Sequence, residues 1–417
     1  MKLLSLTCKF MVKKVYLYIG FLFLSINIYN GNLYSLFSYI KQRQNINTIS
    51  QERLNICNRL QNNILNYIYN FNSKISVSVL NKDGEFIVDI NSKIPRIPAS
   101  NQKILSSAFA LDNLGPDYTL DTSLKELYDG GFYIEASGDP DFNKSHLDEL
   151  IIVLNILNNN NNSNKLPILI QNINKKNWWP SSWSYPDRKE EYGAPITKYS
   201  IASNASINAL NNPIDNYIYE LEMALKRQNS SHKYFIKAVD EKYPIKIVST
   251  IKVINSAALY ILLNLVNSES HNYTAEVIFR HALNNWSHDA PNIKYIRWLK
   301  DQNFNTENFI FADASGLSRE NRVTTYGLSQ FMRRMKLNRF SEYYFSSFSI
   351  LGVRGSLAKV IAPGNLKGRV LAKSGRLNNV RSVSGIILGE NKIFSIIVNN
   401  MENSTPHIMN ILSIIDN

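Results

Sequence analysis

Cysteine is almost missing from this chain: 417 residues hold two, Cys8 and Cys57. A disulfide framework is excluded, so stability must come from packing, and a thiol nucleophile is not expected. Histidine is scarce too, with six in the chain. Acid is missing from the first 40 residues, which carry Lys2, Lys9, Lys13 and Lys14. Long apolar runs are rare. The run Val15–Leu24 falls short of the ~20 apolar residues of a spanning helix. Behind its lysines it reads as an export leader, residues 1–40. No A-x-A site follows, so an uncleaved anchor, and membrane association through it, stays open. The net charge is +13 and the pI about 9.4. No basic cluster interleaved with aromatics accompanies it, nor any nucleic-acid fold motif. The excess reads as a Lys- and Asn-rich composition, with no nucleic-acid partner.

What is present is ordinary in bulk and specific in detail. Hydrophobic residues make up 44%, enough to pack a soluble core. Residues 41–73 place Leu54, Ile56, Leu60, Ile64, Leu65 and Ile68 at helical spacing. Ile75–Val79 alternates strictly, and Lys82-Asp83-Gly84 separates it from Phe86–Ile90, which predicts a hairpin. Near the other end, Val370–Lys373, Arg381–Leu388 and Lys392–Asn399 read as strands, with a last helix over about 405–415. Two early and three late strands are expected to share one antiparallel sheet. Between them, Asn158–Asn162 reads as a loop tip. Trp178-Trp179-Pro180 and Trp183 read as core packing. Residues 253–283 read as helical.

Three short motifs carry chemistry. Ser100-Asn101-Gln102-Lys103 follows Pro98 and opens an apolar helix that Gly115-Pro116 stops. At i and i+3, Ser100 and Lys103 share a face. A serine hydroxyl needs a base. Lys103 can be that base if burial and a second cation, expected to be Lys373, lower its pKa. The helix start offers backbone donors to an oxyanion. Other Ser-x-x-Lys matches, Ser230/Lys233 and Ser356/Lys359, read as surface accidents. Ser270-His271-Asn272 is expected on a loop between helices, with Ser270 passing a proton to the leaving amine and Asn272 holding the substrate amide. Ser206-Ile207-Asn208 matches the same pattern without that context. Lys373-Ser374-Gly375 is expected at a strand end. There Lys373 and Ser374 suit a terminal carboxylate, and Gly375 lets a substrate backbone approach.

In this order the motifs form the active-site set of penicillin-interacting enzymes. The block Asp313-Ala-Ser-Gly-Leu-Ser-Arg-Glu-Asn-Arg-Val-Thr324 narrows the match. With Ile97–Leu105, Gly138–Asp141, Trp179–Trp183, Ser270–Glu276 and Gly352–Leu357, it resembles the D-alanyl-D-alanine carboxypeptidases/endopeptidases of the class C low-molecular-mass penicillin-binding proteins. The resemblance spans roughly residues 50–400. It implies an α/β, transpeptidase/β-lactamase-like antiparallel sheet flanked by helices, with a helical subdomain and an inserted subdomain. The expected division is a catalytic domain of 41–120 and 246–417 with the insert at 121–245. The implied activity is hydrolysis of peptidoglycan stem peptides through an acyl-enzyme on Ser100, outside the cytoplasmic membrane in the periplasm. β-Lactams would inhibit it, and no metal or cofactor is needed. Catalytic roles fall to Ser100, Lys103, Ser270, Asn272 and Lys373. Substrate binding falls to Ser374, Gly375 and Arg376. His271 is a bystander.

Two departures stand out. Arg376 replaces a small hydroxyl residue that normally helps to bind the substrate carboxylate, and Ala314 stands where glycine is usual. Arg376 leaves open whether its side chain pairs with the carboxylate or blocks the groove; its amide can still complete the oxyanion hole. Two other readings remain: a β-lactamase-like hydrolase on the same fold, and a catalytically silent relative that binds cell-wall peptide.

Overall fold

The computed structural model describes residues 57–157, 164–172, 174–287 and 292–417. The expected leader at 1–40, the helical positions Leu54 and Ile56, and the asparagine run at 158–162 lie outside the described residues. Along the chain come α1 (Asn58–Ile68), β1 (Ile75–Leu80), β2 (Phe86–Ile90) and α2 (Lys103–Leu114). Next are β3 (Thr122–Leu127), β4 (Phe132–Glu135), α3 (Lys144–Leu157), β5 (Leu166–Asn172), α4 (Pro213–Arg227), β6 (Tyr234–Asp240) and β7 (Ile247–Ile254). Helices α5 (Leu259–Asn267), α6 (Asn272–Leu283), α7 (Ile293–Asp301), α8 (Thr325–Lys336) and α9 (Ser341–Ser346) follow. The chain closes with β8 (Ser349–Ile350), β9 (Val370–Leu377), β10 (Val380–Ile387), β11 (Lys392–Asn399) and α10 (Thr405–Asp416).

The expected single sheet of early and late strands forms, in the order β2-β1-β11-β10-β9-β8. All its pairings are antiparallel, and β1 meets β11 with Ile75 opposite Val398. An antiparallel sheet often leaves one face to solvent; here helices cover both. Ile393 and Ile397 of β11 join the core built by α2, α6 and α8. Phe394, Ile396 and Val398 face Ile64, Ile68, Ile408 and Ile411 of α1 and α10. Double coverage explains why β11 reads as a nearly unbroken apolar run.

Helix α2 is the hub of the first core. Lys103 through Leu111 are all buried, the signature of a helix with no solvent face. It ends as expected at Gly115, whose φ of 84° suits glycine and whose N–H donates to the Leu111 carbonyl at 3.0 Å. Residues 253–283 are not one helix. Ile254 ends strand β7, and the helical stretch breaks between α5 and α6 at Ser268–His271. A second sheet, in the order β6-β5-β4-β3-β7, is built from residues 122–254, with parallel pairing only for β4–β5 and β5–β6. Its core includes Trp178, Tyr199 and Tyr217. Cys57 is a free, exposed cysteine. No helix among the described residues is long and apolar enough to cross a membrane.

Candidate active site

Ser100 sits in a 3-10 turn, Ala99–Gln102, that leads directly into α2. Ala99 is held at φ 48°, a left-handed backbone that costs a non-glycine residue about 1–2 kcal/mol. The surroundings hold the turn in place. Ser382 donates its hydroxyl to the Pro98 carbonyl at 2.6 Å, and Asn101 Nδ2 donates to Ser384 Oγ at 2.6 Å. Both serines come from β10. They alternate with Val383, whose side chain faces the opposite core. That alternation was visible in the sequence, but nothing marked these serines as braces for the nucleophile.

Lys103 reaches back to Ser100. Its Nζ donates to Ser100 Oγ at 3.1 Å, to Asn272 Oδ1 at 2.6 Å and to the Ser315 carbonyl at 2.7 Å. One residue from each of the first two motifs, plus the Asp313 block, thus meets at a single nitrogen. Burial pushes Lys103 down to about 7, against the charges of Asp313 and Glu276, which favour its protonated form. Burial, as expected, is the leading cause. Lys373 is held well below the usual lysine value by its own burial and then by Lys103.

The Asp313 block is a tight anion-centred loop. Asp313 accepts from the amides of Gly316 and Ser318 (both 2.7 Å), from Asn321 Nδ2 (2.6 Å) and from Trp183 Nε1 (2.7 Å). The tryptophan cluster is therefore packing, as read, but Trp183 also anchors this loop. Glu276, on α6, accepts from the Ala314 and Ser315 amides at 3.0 and 2.8 Å. Burial and Asp313 raise it to about 7. These contacts aim the Ser315 carbonyl at Lys103. Glu276 was inside a recognised block, but its role depends on a loop some 40 residues away and left no local signal.

Asn272 is the first residue of α6, and its Nδ2 donates to the Tyr192 carbonyl at 2.9 Å. Ser270 precedes it at φ 66° and lines the same cavity as Ser100. His271 is half-buried and held near 4 by desolvation and then by Lys103, so it stays neutral; its Nδ1 pairs with Thr274 Oγ1 at 2.7 Å. Ser206–Asn208 takes no part; Ile207 is exposed.

Lys373-Ser374-Gly375 lies inside β9, not at a strand end. The strand continues because β10 pairs through it, with Lys373 opposite Ser384 and Arg376 opposite Arg381. Lys373 is fully buried and donates to the Ser374 carbonyl at 2.8 Å. Gly375 also answers to a close contact within the fold. A Cβ there would overlap Ser382 Oγ and crowd the Pro98 carbonyl and the Ser100 amide. What approaches Gly375 is the nucleophile's own turn. Of the two spare Ser-x-x-Lys matches, Ser356/Lys359 lies on the surface as read, whereas Ser230 does not. Ser230 is fully buried and bonded to Asn155 Oδ1 at 2.7 Å. Ser356 Oγ lies 2.6 Å from Ser374 Oγ and 3.0 Å from Ser349 Oγ.

An open cavity of about 960 Å³ runs past Ser100, Ser270, Asn272 and Arg376. The arrangement supplies a hydroxyl, a buried amine near neutrality, and a cleft that admits an extended peptide. The rate of Ser100 acylation is expected to rise as pH climbs through about 7, where Lys103 loses its proton. In Glu276→Gln the amide oxygen can still accept from the loop, but a charge favouring protonated Lys103 is gone. The midpoint of the pH–rate profile should move to lower pH; an unmoved or raised midpoint contradicts this coupling.

Comparison with known proteins follows the geometry. A model of the D-Ala-D-Ala carboxypeptidase 3 (S13) family matches residues 70–215 and 209–416. The fold is similar to penicillin binding protein 4 (dacB) from Haemophilus influenzae, with a TM-score of 0.72 at 18% identity, covering 85% of this chain and 98% of that one. It is also similar to Bd3459, a predatory peptidoglycan endopeptidase from Bdellovibrio bacteriovorus, with a TM-score of 0.51 at 18% identity, covering 81% and 91%. No curated protein matches the chain.

Proposed function

Because the chain belongs to the S13 family of D-Ala-D-Ala carboxypeptidases, we propose that this serine peptidase hydrolyses peptidoglycan stem peptides through an ester on Ser100. The observation that carries the assignment of residues is the contact of the buried Lys103 amine with Ser100 Oγ at 3.1 Å. Ser100 Oγ attacks the carbonyl between two D-alanines while its proton passes to Lys103. The amides of Ser100 and Arg376 hold the oxyanion. The close approach of β9 to the Ser100 amide at Gly375 supports this. Ser270 passes the proton on to the leaving amine, the C–N bond breaks and D-alanine departs. Asn272 positions the peptide. Water then attacks the ester, giving its proton to Lys103, and Ser100 recovers a proton as the shortened peptide leaves. Lys373 flanks Lys103 as a second buried amine, and Ser374 lies beside the leaving residue. The reaction as written needs no cofactor.

We place this chemistry outside the cytoplasmic membrane, in the periplasm, on the strength of the substrate and the leader-like composition of residues 1–40. The insert expected at 121–245 is extended here to about 254, because the separate sheet starts at Thr122 and includes β7 (Ile247–Ile254), which pairs with β3 and leads to α5. β-Lactams are expected to acylate Ser100 because they present a strained amide to the same hydroxyl.

The test is digestion of purified muropeptides followed by mass measurement of the products. Loss of one alanine from pentapeptides is the expected carboxypeptidase result. Conversion of cross-linked dimers to monomers assigns endopeptidase activity as well. Unchanged muropeptides, from a protein that a fluorescent penicillin also fails to label, would contradict the proposal.

A further inference from the structure

Besides Ser100, the buried amine of Lys103 has two acceptors, and one stretch of the insert holds both from behind. Asn272 Oδ1 accepts from Lys103 at 2.6 Å, and the Ser315 carbonyl accepts at 2.7 Å. Asn272 turns its oxygen to the amine because its other end, Nδ2, donates to the Tyr192 carbonyl at 2.9 Å. A side-chain amide engaged at both ends loses both bonds if it flips. The Ser315 carbonyl belongs to the loop wound round Asp313. The peptide between Ser315 and Gly316 is shared: its N–H donates to Asp313 Oδ1 at 2.7 Å, and its carbonyl meets Lys103. Trp183 Nε1 donates to the other carboxylate oxygen, Asp313 Oδ2, at 2.7 Å.

Residues 179–193 therefore reach both acceptors, and the stretch is itself tied down. Trp179 Nε1 donates to the Gly193 carbonyl at 2.9 Å, one residue past Tyr192. The Arg188 guanidinium lies over the Trp179 ring at 5.6 Å and donates through Nε to the Trp183 carbonyl at 3.0 Å. Beyond Gly193, helix α6 grips the chain. Tyr273 Oη donates to the Thr197 carbonyl at 2.8 Å, and Arg280 Nη1 to the Ile196 carbonyl at 3.2 Å. Among the described residues, the wall of the Ser100 cavity includes Tyr192 but neither tryptophan. We infer that residues 179–193 form a bracket round Lys103, in which Trp179 and Trp183 are positioning residues for Asn272 and Ser315. Tryptophan suits the task because its indole N–H only donates and sits on a rigid ring system. The other charged or titratable groups near Lys103 are Asp313 and Glu276, which favour its protonated form, and Lys373 and His271. Changing either tryptophan leaves all four in place. Loosening either acceptor weakens the hold on protonated Lys103 and blurs the geometry of proton transfer.

The inference rests on the proposed Ser100 chemistry, so the experiment separates the two. Acylation by a fluorescent penicillin is followed across pH and penicillin concentration. This gives a maximal rate, a half-saturating concentration and a pH midpoint. Trp179→Phe and Trp183→Phe keep an aromatic ring and delete the N–H. Each is expected to lower the maximal rate about ten-fold, because small displacements of reacting groups are costly. Each should move the midpoint down by about half a pH unit, since the amine loses support for its charged form. The half-saturating concentration should stay unchanged, because neither ring lines the cavity. Trp298→Phe is the matched control. It deletes an indole bond of the same kind, Nε1 to Asp112 Oδ2 at 2.8 Å, at the other end of α2 from Lys103. It should lower the melting temperature and leave the midpoint alone. A wild-type rate and midpoint in both Trp179→Phe and Trp183→Phe overturn the bracket while leaving Ser100 acylation standing. So does an equal midpoint shift in Trp298→Phe, which would trace the effect to loosened packing. Trp179 is only half-buried, so its variant tests the bracket even if Trp183→Phe does not fold. A wild-type protein that takes up no penicillin overturns the Ser100 reading, and the bracket with it.

Discussion

Ser100→Ala should abolish labelling by fluorescent penicillin and lower D-alanine release by about 10⁴-fold or more, as removal of a serine nucleophile does elsewhere. The change deletes one oxygen and creates almost no void. Lys103 keeps its bonds to Asn272 Oδ1 and the Ser315 carbonyl, so the buried amine is not left without partners. The melting temperature should therefore stay close to that of the wild type. That combination separates chemistry from folding. Labelling that persists in the variant would place the nucleophile elsewhere. A wild-type protein that never labels would favour the silent cell-wall-binding reading. Steady turnover of a chromogenic β-lactam, with no trapped adduct, would favour the β-lactamase-like one.

Gly316→Ala should be among the most damaging methyl additions at the described glycines. Gly316 has φ 78°, and a Cβ there would overlap the Ala99 carbonyl and lie 2.9 Å from Gln102 Cβ. The obstacle is main chain, which cannot rotate away as a side-chain tip could. The left-handed conformation and the overpacking together are expected to cost about 3 kcal/mol or more. The damage should reach the chemistry as well. Relief of the clash must move either the turn that carries Ser100 or the loop that aims the Ser315 carbonyl at Lys103. A displacement of about 1 Å there can lower the rate by ~10²-fold. Gly130→Ala is the control. It has φ 78° too, but its Cβ would meet nothing within 4 Å, so it should show only the conformational cost. Denaturant titration and the rate of penicillin labelling read both effects. Equal destabilisation of the two variants would show that the contact with Ala99 is unimportant.

Local patterns in the sequence marked the strands well, because alternation and turn residues act over a few positions. Ile75–Val79 and the late strands were readable for that reason. Their assembly was inferred rather than read: Ile75 pairs with Val398, a contact no local signal encodes. The break at Ser268–His271 was harder. Apolar spacing continues across it, and only the Ser-x-Asn pattern hinted that α5 and α6 are separate. The end of β9 was misplaced because Gly and Arg look like strand terminators until β10 is seen to pair with them.

Residue types and their order determined the chemistry: a serine with a lysine one turn on, and two further motifs in fixed succession, suffice to name a serine acyl transfer, since reactivity belongs to the side chains themselves. Folding decided how those groups are tuned. Burial of Lys103 sets its protonation, backbone atoms of Ser315 and Tyr192 fix its neighbours, and close packing explains Gly316 and Gly375. The facing of Arg376 and Arg381 likewise exists only once β9 and β10 are in register. Desolvation and proximity are properties of where atoms end up, and a linear chain carries neither until distant segments have packed together.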